Sequence, residues 1–293
     1  MAASDDRPNE VQSRYWNEEG GPSWVGKERM YEQMLEPFDL ALLDALGPTT
    51  GERVLDIGCG FGTTSLAVAS RGARVRGVDI SAPMIERARE RAMTAGAGIE
   101  ARFELGDAQT DDLGGPYDAV VSRFGVMFFS DPVQAFANIG ASVVDGGRLA
   151  FVCWQPMECN PWMTLPADVV RALLDDGPAS SPAPAASPAG AMPGPNPFAF
   201  GDAGFVQRIL TDAGWTTIEL ASCEPVIALG AGDGVAGAVE QALNGSAVKA
   251  LLATGDVTVR DRAAAILAER FAAHAADGTV RMPSAAWLVT ARR

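Results

Sequence analysis

The sequence predicts an α/β protein: a doubly wound, mostly parallel sheet carrying a helical cap. Three observations lead there. Residues 54–64 read Val-Leu-Asp-Ile-Gly-Cys-Gly-Phe-Gly-Thr-Thr, which is an apolar strand, a loop with glycine at alternate positions, and a helix start. From Arg53 to Trp154 short apolar runs alternate with helical patterns, as parallel strands joined by crossover helices require. Aromatic-rich stretches flank that region on both sides and supply a cap. Glycines in the loop let the backbone approach a ligand closely, and in such sheets the ligand lies beyond the carboxyl ends of the strands.

The elements follow in order. Residues up to about 10 are polar and acidic and read as disordered. Two helices fill 11–47 and end near Gly47-Pro48, the second an amphipathic run from Glu28 to Leu46. Strand one leads into the glycine loop, with Thr63 or Thr64 opening a helix. Arg74-Val-Arg-Gly-Val-Asp79 is a second strand ending in an acid; Ser81 is placed to cap the next helix and Pro83 lies in its first turn. Arg102-Phe-Glu-Leu-Gly-Asp107-Ala108 is a third strand, Tyr117 to Ser122 a fourth, and Gly146 to Trp154 a fifth. A helix starts at Pro132 behind Asp131 and buries Phe136 and Ile139. Beyond Trp154 the alternation breaks. A helical piece from Thr164 to Leu174 leads into an Ala/Pro/Ser-rich stretch near 178–190, which reads as a surface loop. Asp202 then caps a helix to Ala213, Gly214 ends it, and a strand runs from Thr216 to Leu220. Two alanine-rich helices, Gly234–Ala253 and Val259–Ala275, precede a last strand, Ala285–Arg292. The expected division is a cap segment over 1–50, the cofactor half of the core over 51–154, a cap insertion over 155–200, and the second half of the core over 201–293, with a helical insertion near 232–276.

The loop discriminates among nucleotides. The dinucleotide fingerprint Gly-x-Gly-x-x-Gly would put its third glycine at Thr63; here the extra glycine comes one residue early, at Gly62. Asp56 stands two residues before the first glycine. A carboxylate there repels a pyrophosphate and attracts an ammonium group. The pattern suits a nucleoside with a cationic amino-acid tail, and at these residues the chain resembles the class I S-adenosylmethionine-dependent methyltransferases. Asp79-Ile-Ser-x-x-Met84 and the Asp131-Pro132 pair resemble the ubiquinone/menaquinone-type group within them. One departure is Asp145-Gly-Gly where the family often has Pro-Gly-Gly, a difference that affects only the stiffness of the turn.

The resemblance implies a seven-stranded Rossmann-like sheet, S-adenosylmethionine as cofactor and S-adenosylhomocysteine as product. It implies a cofactor site at Asp56, Gly58, Cys59, Gly60, Thr63, Thr64, Asp79, Ile80, Met84, Gly106, Asp107, Ala108, Arg123 and Phe124. Asp79 would accept the ribose hydroxyls, Asp107 the adenine amino group, and the amide that follows would meet the ring. Tyr15, Trp16, Trp24, Phe128, Trp154 and Trp162 are candidates for an apolar substrate pocket; each serves equally well to hold the cap on the core.

Composition narrows the partners. A net charge of −14 over 293 residues repels phosphate backbones and argues against nucleic acid. No run approaches the roughly 18 apolar residues of a membrane helix. Met1 to Glu10 has no apolar signal core, and the four cysteines (59, 153, 159, 223) form no Cys-x-x-Cys pair, so a cytoplasmic protein is expected. The single histidine, His274, disfavours a histidine metal site and a Ser-His-Asp hydrolase. No metal is expected; a small-molecule partner is, and a homodimer stays open.

Methyl transfer is an in-line displacement, so alignment and exclusion of water carry most of the catalysis. If the acceptor needs a base, Tyr15, Glu18, Glu19 and Glu158 are the available groups, and their spacing singles out none of them. Three functions are weighed: methylation of a small apolar or aromatic metabolite at oxygen, nitrogen or carbon; a non-methylating enzyme such as a cyclase that keeps the cofactor site; and a nicotinamide oxidoreductase, disfavoured by Thr63 and Asp56.

Overall fold

The structure, a computed structural model, describes residues 8–175 and 195–293. Short α1 (Glu10–Tyr15), a π-helical turn (Trp16–Gly20), α2 (Gly21–Gly26) and the long α3 (Glu28–Leu46) precede β1 (Arg53–Ile57). The core continues with α4 (Thr63–Ala69), β2 (Arg74–Asp79), α5 (Ala82–Thr94), β3 (Glu100–Leu105), β4 (Tyr117–Arg123), α6 (Pro132–Ala141) and β5 (Val143–Trp154). Then come α7 (Pro161–Asp175), α8 (Ala203–Asp212), β6 (Thr216–Cys223) and β7 (Val226–Leu229). The chain finishes with α9 (Gly234–Leu243), α10 (Ser246–Leu252), α11 (Val257–Ala272), β8 (Ala275–Ala276), β9 (Thr279–Pro283) and β10 (Ala286–Arg292).

Seven strands form one sheet in the order β3-β2-β1-β4-β5-β10-β6, parallel except for β10, which runs antiparallel to both neighbours. The order reverses at β1, so the carboxyl ends of β1, β2, β3 and β4 converge on one crevice. The near-continuous apolar runs are explained by burial on both faces: Val54, Leu55, Val120, Val121, Phe151 and Val152 are all fully enclosed. Helix α3 presses Phe38, Leu42 and Leu46 into the core, while α6 and α8 pack together through Phe136, Ile139, Val206 and Leu210. Each large side chain so buried contributes roughly 1.5–3 kcal/mol. Asp131 caps α6 by accepting from the Gln134 N–H, and Asp202 caps α8 by accepting from the Phe205 N–H.

Four expectations need correction. The stretch before the core is broken into four helical pieces rather than two, because Gly20 and Gly21 bring the chain so close to Trp16 and Ser81 that a side chain would clash. Order begins before residue 11: Asn9 is buried. The segment 234–253 is two helices, since Asn244 and Gly245 end one and start the next. A second sheet, β7-β9-β8, was not foreseen; its strands are two to five residues long and too short to show a period. The Ala/Pro-rich stretch near 178–190 lies outside the described residues.

Candidate functional site

The glycine loop closes over the end of β1 with Gly58, Gly60 and Gly62 at φ of 62°, 54° and 84°, a region side chains rarely adopt. Gly58 has a second constraint. A Cβ on it would lie 2.6 Å from the Cα of Gly125, in the loop after β4, so the two loops touch backbone to backbone. Asp79 holds the arrangement from β2: its Oδ2 accepts the Gly60 N–H at 2.8 Å and its Oδ1 the Ser81 N–H at 2.9 Å. A carboxylate has about four acceptor positions, so these bonds leave capacity for a further donor. Burial pushes the Asp79 carboxyl up, against the pull of the backbone N–H groups of Gly60, Ser81 and Ile80.

Asp56 lies beneath the loop, 1% exposed. Its Oδ2 accepts from Ser65 Oγ at 2.6 Å, and its Oδ1 has no partner. Burial raises its carboxyl to about 7; Ser65 and Arg123 oppose the rise, while the nearby carboxylates of Asp79 and Asp39 add to it. A buried oxygen without a donor, among three carboxylates and one guanidinium, fits a cationic guest better than an anionic one.

Four of the expected cofactor residues are engaged elsewhere, and a fifth, Asp107, accepts from Asn9 Nδ2 through both oxygens at 3.0 Å. Arg123 Nη1 lies 2.7 Å from Asp39 Oδ2 in a pair 10% and 14% exposed, and Thr64 Oγ1 donates to Asp39 Oδ1 at 3.2 Å. Thr63 Oγ1 donates to Glu32 Oε1 at 2.9 Å and accepts from Arg91 Nη1. These three side chains fasten the loop and β4 to α3 and α5. Phe124 takes a left-handed backbone (φ 59°) and stacks on Trp154 with ring centroids 4.1 Å apart. The others line or back the crevice. Gly106 donates to the Asp79 carbonyl, Ala108 and Met84 are buried, and Cys59 packs with Ile85, Ala88 and Phe103. Burial raises the Cys59 thiol well above its ordinary range, which makes it a packing group.

The aromatic candidates fall into two groups. Tyr15, Trp16, Trp24 and Phe128 form an edge-to-face set, with Tyr31 stacked on Trp24 at 3.7 Å. Burial pushes the Tyr31 hydroxyl up to about 12. Trp154 sits between Phe124 and Trp162, with Phe38 edge-on to it. Trp162 also lines a cavity of about 110 Å³ with Met163, Pro166, Leu229 and Val248. A larger recess, about 440 Å³, lies on the face of β5, β10 and β6 around Arg148, Glu219 and Thr290, away from the crevice, and has no part in this chemistry. The base candidates Tyr15, Glu18, Glu19 and Glu158 are all exposed.

Several polar residues at the strand ends escaped sequence reasoning. Asn17 donates to the Ile80 carbonyl and accepts from the Ala82 N–H; Ser81 Oγ donates to the Trp16 carbonyl instead of capping α5. Gln109, 2% exposed, accepts from Asn9 Nδ2, Ser130 Oγ and the Asp131 N–H. Their partners are up to about a hundred residues away in the chain, so no local pattern marks them.

A parallel sheet with a glycine loop at its switch point and acids at successive strand ends defines a doubly wound α/β fold with a ligand crevice at the carboxyl ends of its strands. Residues 54–147, about a third of the chain, match the family model described as a methyltransferase domain. Over 129 residues the chain is 36% identical to the aklanonic acid methyltransferase DauC of a Streptomyces strain, an alignment covering 42% of this chain and 58% of that one. The chain spans about half the length of the curated relatives it matches. Among solved structures it is similar to a putative methyltransferase from Bacillus halodurans (TM-score 0.54, 16% identity, 87% of this chain and 97% of that one). It is also similar to the [4+2]-cyclase SpnF (TM-score 0.50, 17% identity, 88% and 80%). Both show the seven-stranded, mostly parallel fold alone. Among the described residues no helix is long and apolar enough to cross a membrane.

Proposed function

We propose that the protein transfers a methyl group from S-adenosylmethionine to a small apolar or aromatic metabolite, leaving S-adenosylhomocysteine. The observation that carries this is the Asp79 carboxylate, braced by the Gly60 and Ser81 N–H groups at the mouth of a left-handed glycine loop. That geometry suits a vicinal diol with no phosphate beside it. Asp79 would take the ribose hydroxyls, Asp107 and the Ala108 N–H the adenine edge, and Ile80, Met84 and Gly106 the surrounding walls. The backbone of Gly58, Cys59 and Gly60 would meet the amino-acid tail, with Asp56 supplying negative charge beneath it. When bound, the cofactor supplies an electrophilic methyl group on a sulfonium. Thr63, Thr64 and Arg123 act one step back, locking the loop to α3, while Phe124 and Trp154 present aromatic faces that disfavour water and tolerate a cation.

Similarity to an aklanonic acid methyltransferase makes small organic acids the first acceptors to try. The acidic charge supports a small molecule over nucleic acid, and the scattered cysteines support the cytoplasm as the compartment. Calorimetric titration with S-adenosylmethionine, S-adenosylhomocysteine and NAD tests the reading. Micromolar binding of the two adenosyl ligands alone is expected, followed by acceptor-dependent formation of S-adenosylhomocysteine. Binding of NAD, or of none of them, sinks it; turnover of an acceptor with the cofactor left intact selects the cyclase reading that the same fold permits.

A further inference from the structure

We infer that Asn9 is an internal clasp on the nucleobase subsite, so that the N-terminal strap and the cofactor compete for Asp107. This rests on the S-adenosylmethionine reading above and concerns how that site is regulated.

Asn9 is the residue before α1 and only 7% exposed. Its Nδ2 donates at 3.0 Å to both oxygens of Asp107 and at 3.1 Å to Gln109 Oε1, while its Oδ1 accepts the Ser130 N–H at 2.7 Å. A carboxamide offers a donor and an acceptor side by side, as adenine does with its amino group and neighbouring ring nitrogen. Asp107 Oδ1 already accepts the Gln109 N–H at 2.9 Å. With Asn9 straddling both oxygens, an incoming amino group meets an acceptor whose in-plane positions are largely taken.

The rest of the strap is tied down across the neighbouring strand ends. Asn17 bridges the Ile80 carbonyl and the Ala82 N–H, the Trp16 carbonyl accepts from Ser81, and Trp16 packs on Phe128. The ends of β2, β3 and β4, which would meet ribose and adenine, are therefore all contacted by residues 9–17. Asn9 itself has a left-handed backbone (φ 62°, ψ 11°), a conformation asparagine adopts more readily than other residues with side chains. A clasp made of hydrogen bonds at the start of a six-residue helix is one a ligand can open.

The test is calorimetric titration of the full chain with S-adenosylhomocysteine, comparing wild type with Asn9→Ala and Asn9→Asp. Asn9→Ala removes the competing amide; Asn9→Asp sets a carboxylate against Asp107 and drives the strap off by repulsion. Both are expected to bind S-adenosylhomocysteine more tightly than wild type, by about tenfold or more, because the three Nδ2 bonds to Asp107 and Gln109 no longer oppose the ligand. Circular dichroism establishes that each variant is folded, and a folded Asn9→Asp decides the matter if Asn9→Ala does not fold. Binding only in the variants would support the clasp most strongly. Equal or weaker affinity in the folded variants, with wild type binding normally, overturns it. Absence of binding in all three overturns the cofactor reading instead.

Discussion

Gly125 tests the geometry of the site without touching any charged group. It precedes the 3₁₀ turn Val126–Phe128 with φ −88° and ψ −26°, a conformation open to any residue, so alanine there brings no backbone strain. What it brings is a methyl group with nowhere to go: the added Cβ would lie 2.6 Å from the Ile57 carbonyl oxygen, 2.8 Å from Gly58 Cα and 2.9 Å from Gly58 O. Ordinary contact begins near 3.4 Å, so the two loops must part by about 0.8 Å, and every atom in the way is backbone. Overpacking of this kind costs about 1–3 kcal/mol, which lowers the melting midpoint by roughly 2–10 °C in a domain of this size. The displaced element is the glycine loop, so affinity for S-adenosylhomocysteine should fall by about tenfold or more. Differential scanning calorimetry and isothermal titration read the two effects. Gly146→Ala is the control: its φ is +76° and its surroundings are open, so it should cost about 1 kcal/mol of stability by backbone strain and leave affinity unchanged. Wild-type affinity in Gly125→Ala, or an equal loss in Gly146→Ala, refutes the claim that contact between the loops shapes the site.

Other outcomes are expected on the same reasoning. Asp79→Asn keeps the shape but presents an N–H₂ to the Gly60 or Ser81 amide, leaving one donor unmet; cofactor affinity should weaken by about 1–3 kcal/mol, and unchanged titration curves would remove Asp79 from the site. Asp56 is held near 7 when folded and near 4 when unfolded, so the folded state binds the extra proton. Its contribution to stability is present below pH 4 and is lost as pH rises through 7, at up to about 1.4 kcal/mol per unit. Chemical denaturation across that range should show the slope in wild type and not in Asp56→Asn. Cofactor affinity should run the other way, rising about tenfold from pH 5.5 to 7 as the carboxylate ionises beside a cationic tail; a flat profile in wild type would disprove the pairing. Phe38→Ala opens a cavity under Phe124 and Trp154 and should cost about 3–5 kcal/mol in the same denaturation assay. A loss below 1 kcal/mol there would mean that α3 is not part of the core.

The order of the core elements was legible because the central parallel strands, buried on both faces, write short apolar runs, and the first three strands end in a glycine or an acid. Val54 to Gly58 and Val75 to Asp79 show both signals; the exposed β3 is marked by its Gly106-Asp107 ending. The acids belong where the backbone turns away from the sheet and a ligand begins, so fold and candidate site are encoded at the same positions. The joint between cap and core was not legible. Asp39 and Arg123 are 84 residues apart and Asn9 and Gln109 are 100 apart, and each looks like an ordinary surface residue until the fold brings its partner. Nor was the small sheet: Val226–Leu229 offers four apolar residues, which suit a strand or a buried helical turn equally. Asn9 was hidden for a further reason, since the polar residues around it have the composition of a chain that buries nothing.

The N-terminal segment meets the crevice twice, and the two contacts are mechanically linked. At one end Asn9 holds the Asp107 carboxylate; at the other Trp16, Trp24 and Phe128 form an aromatic wall beyond β4. Between them lies the π-helical turn Trp16–Gly20, an irregularity often found at functional positions, and two glycines packed against Trp16 and Ser81. Only six residues separate Asn9 from Trp16, all of them in α1, so one helix joins the two contacts. If the proposed clasp opens, the tie from Asp107 to the start of α1 is lost, while the Asn17 and Ser81 bonds still hold the other end.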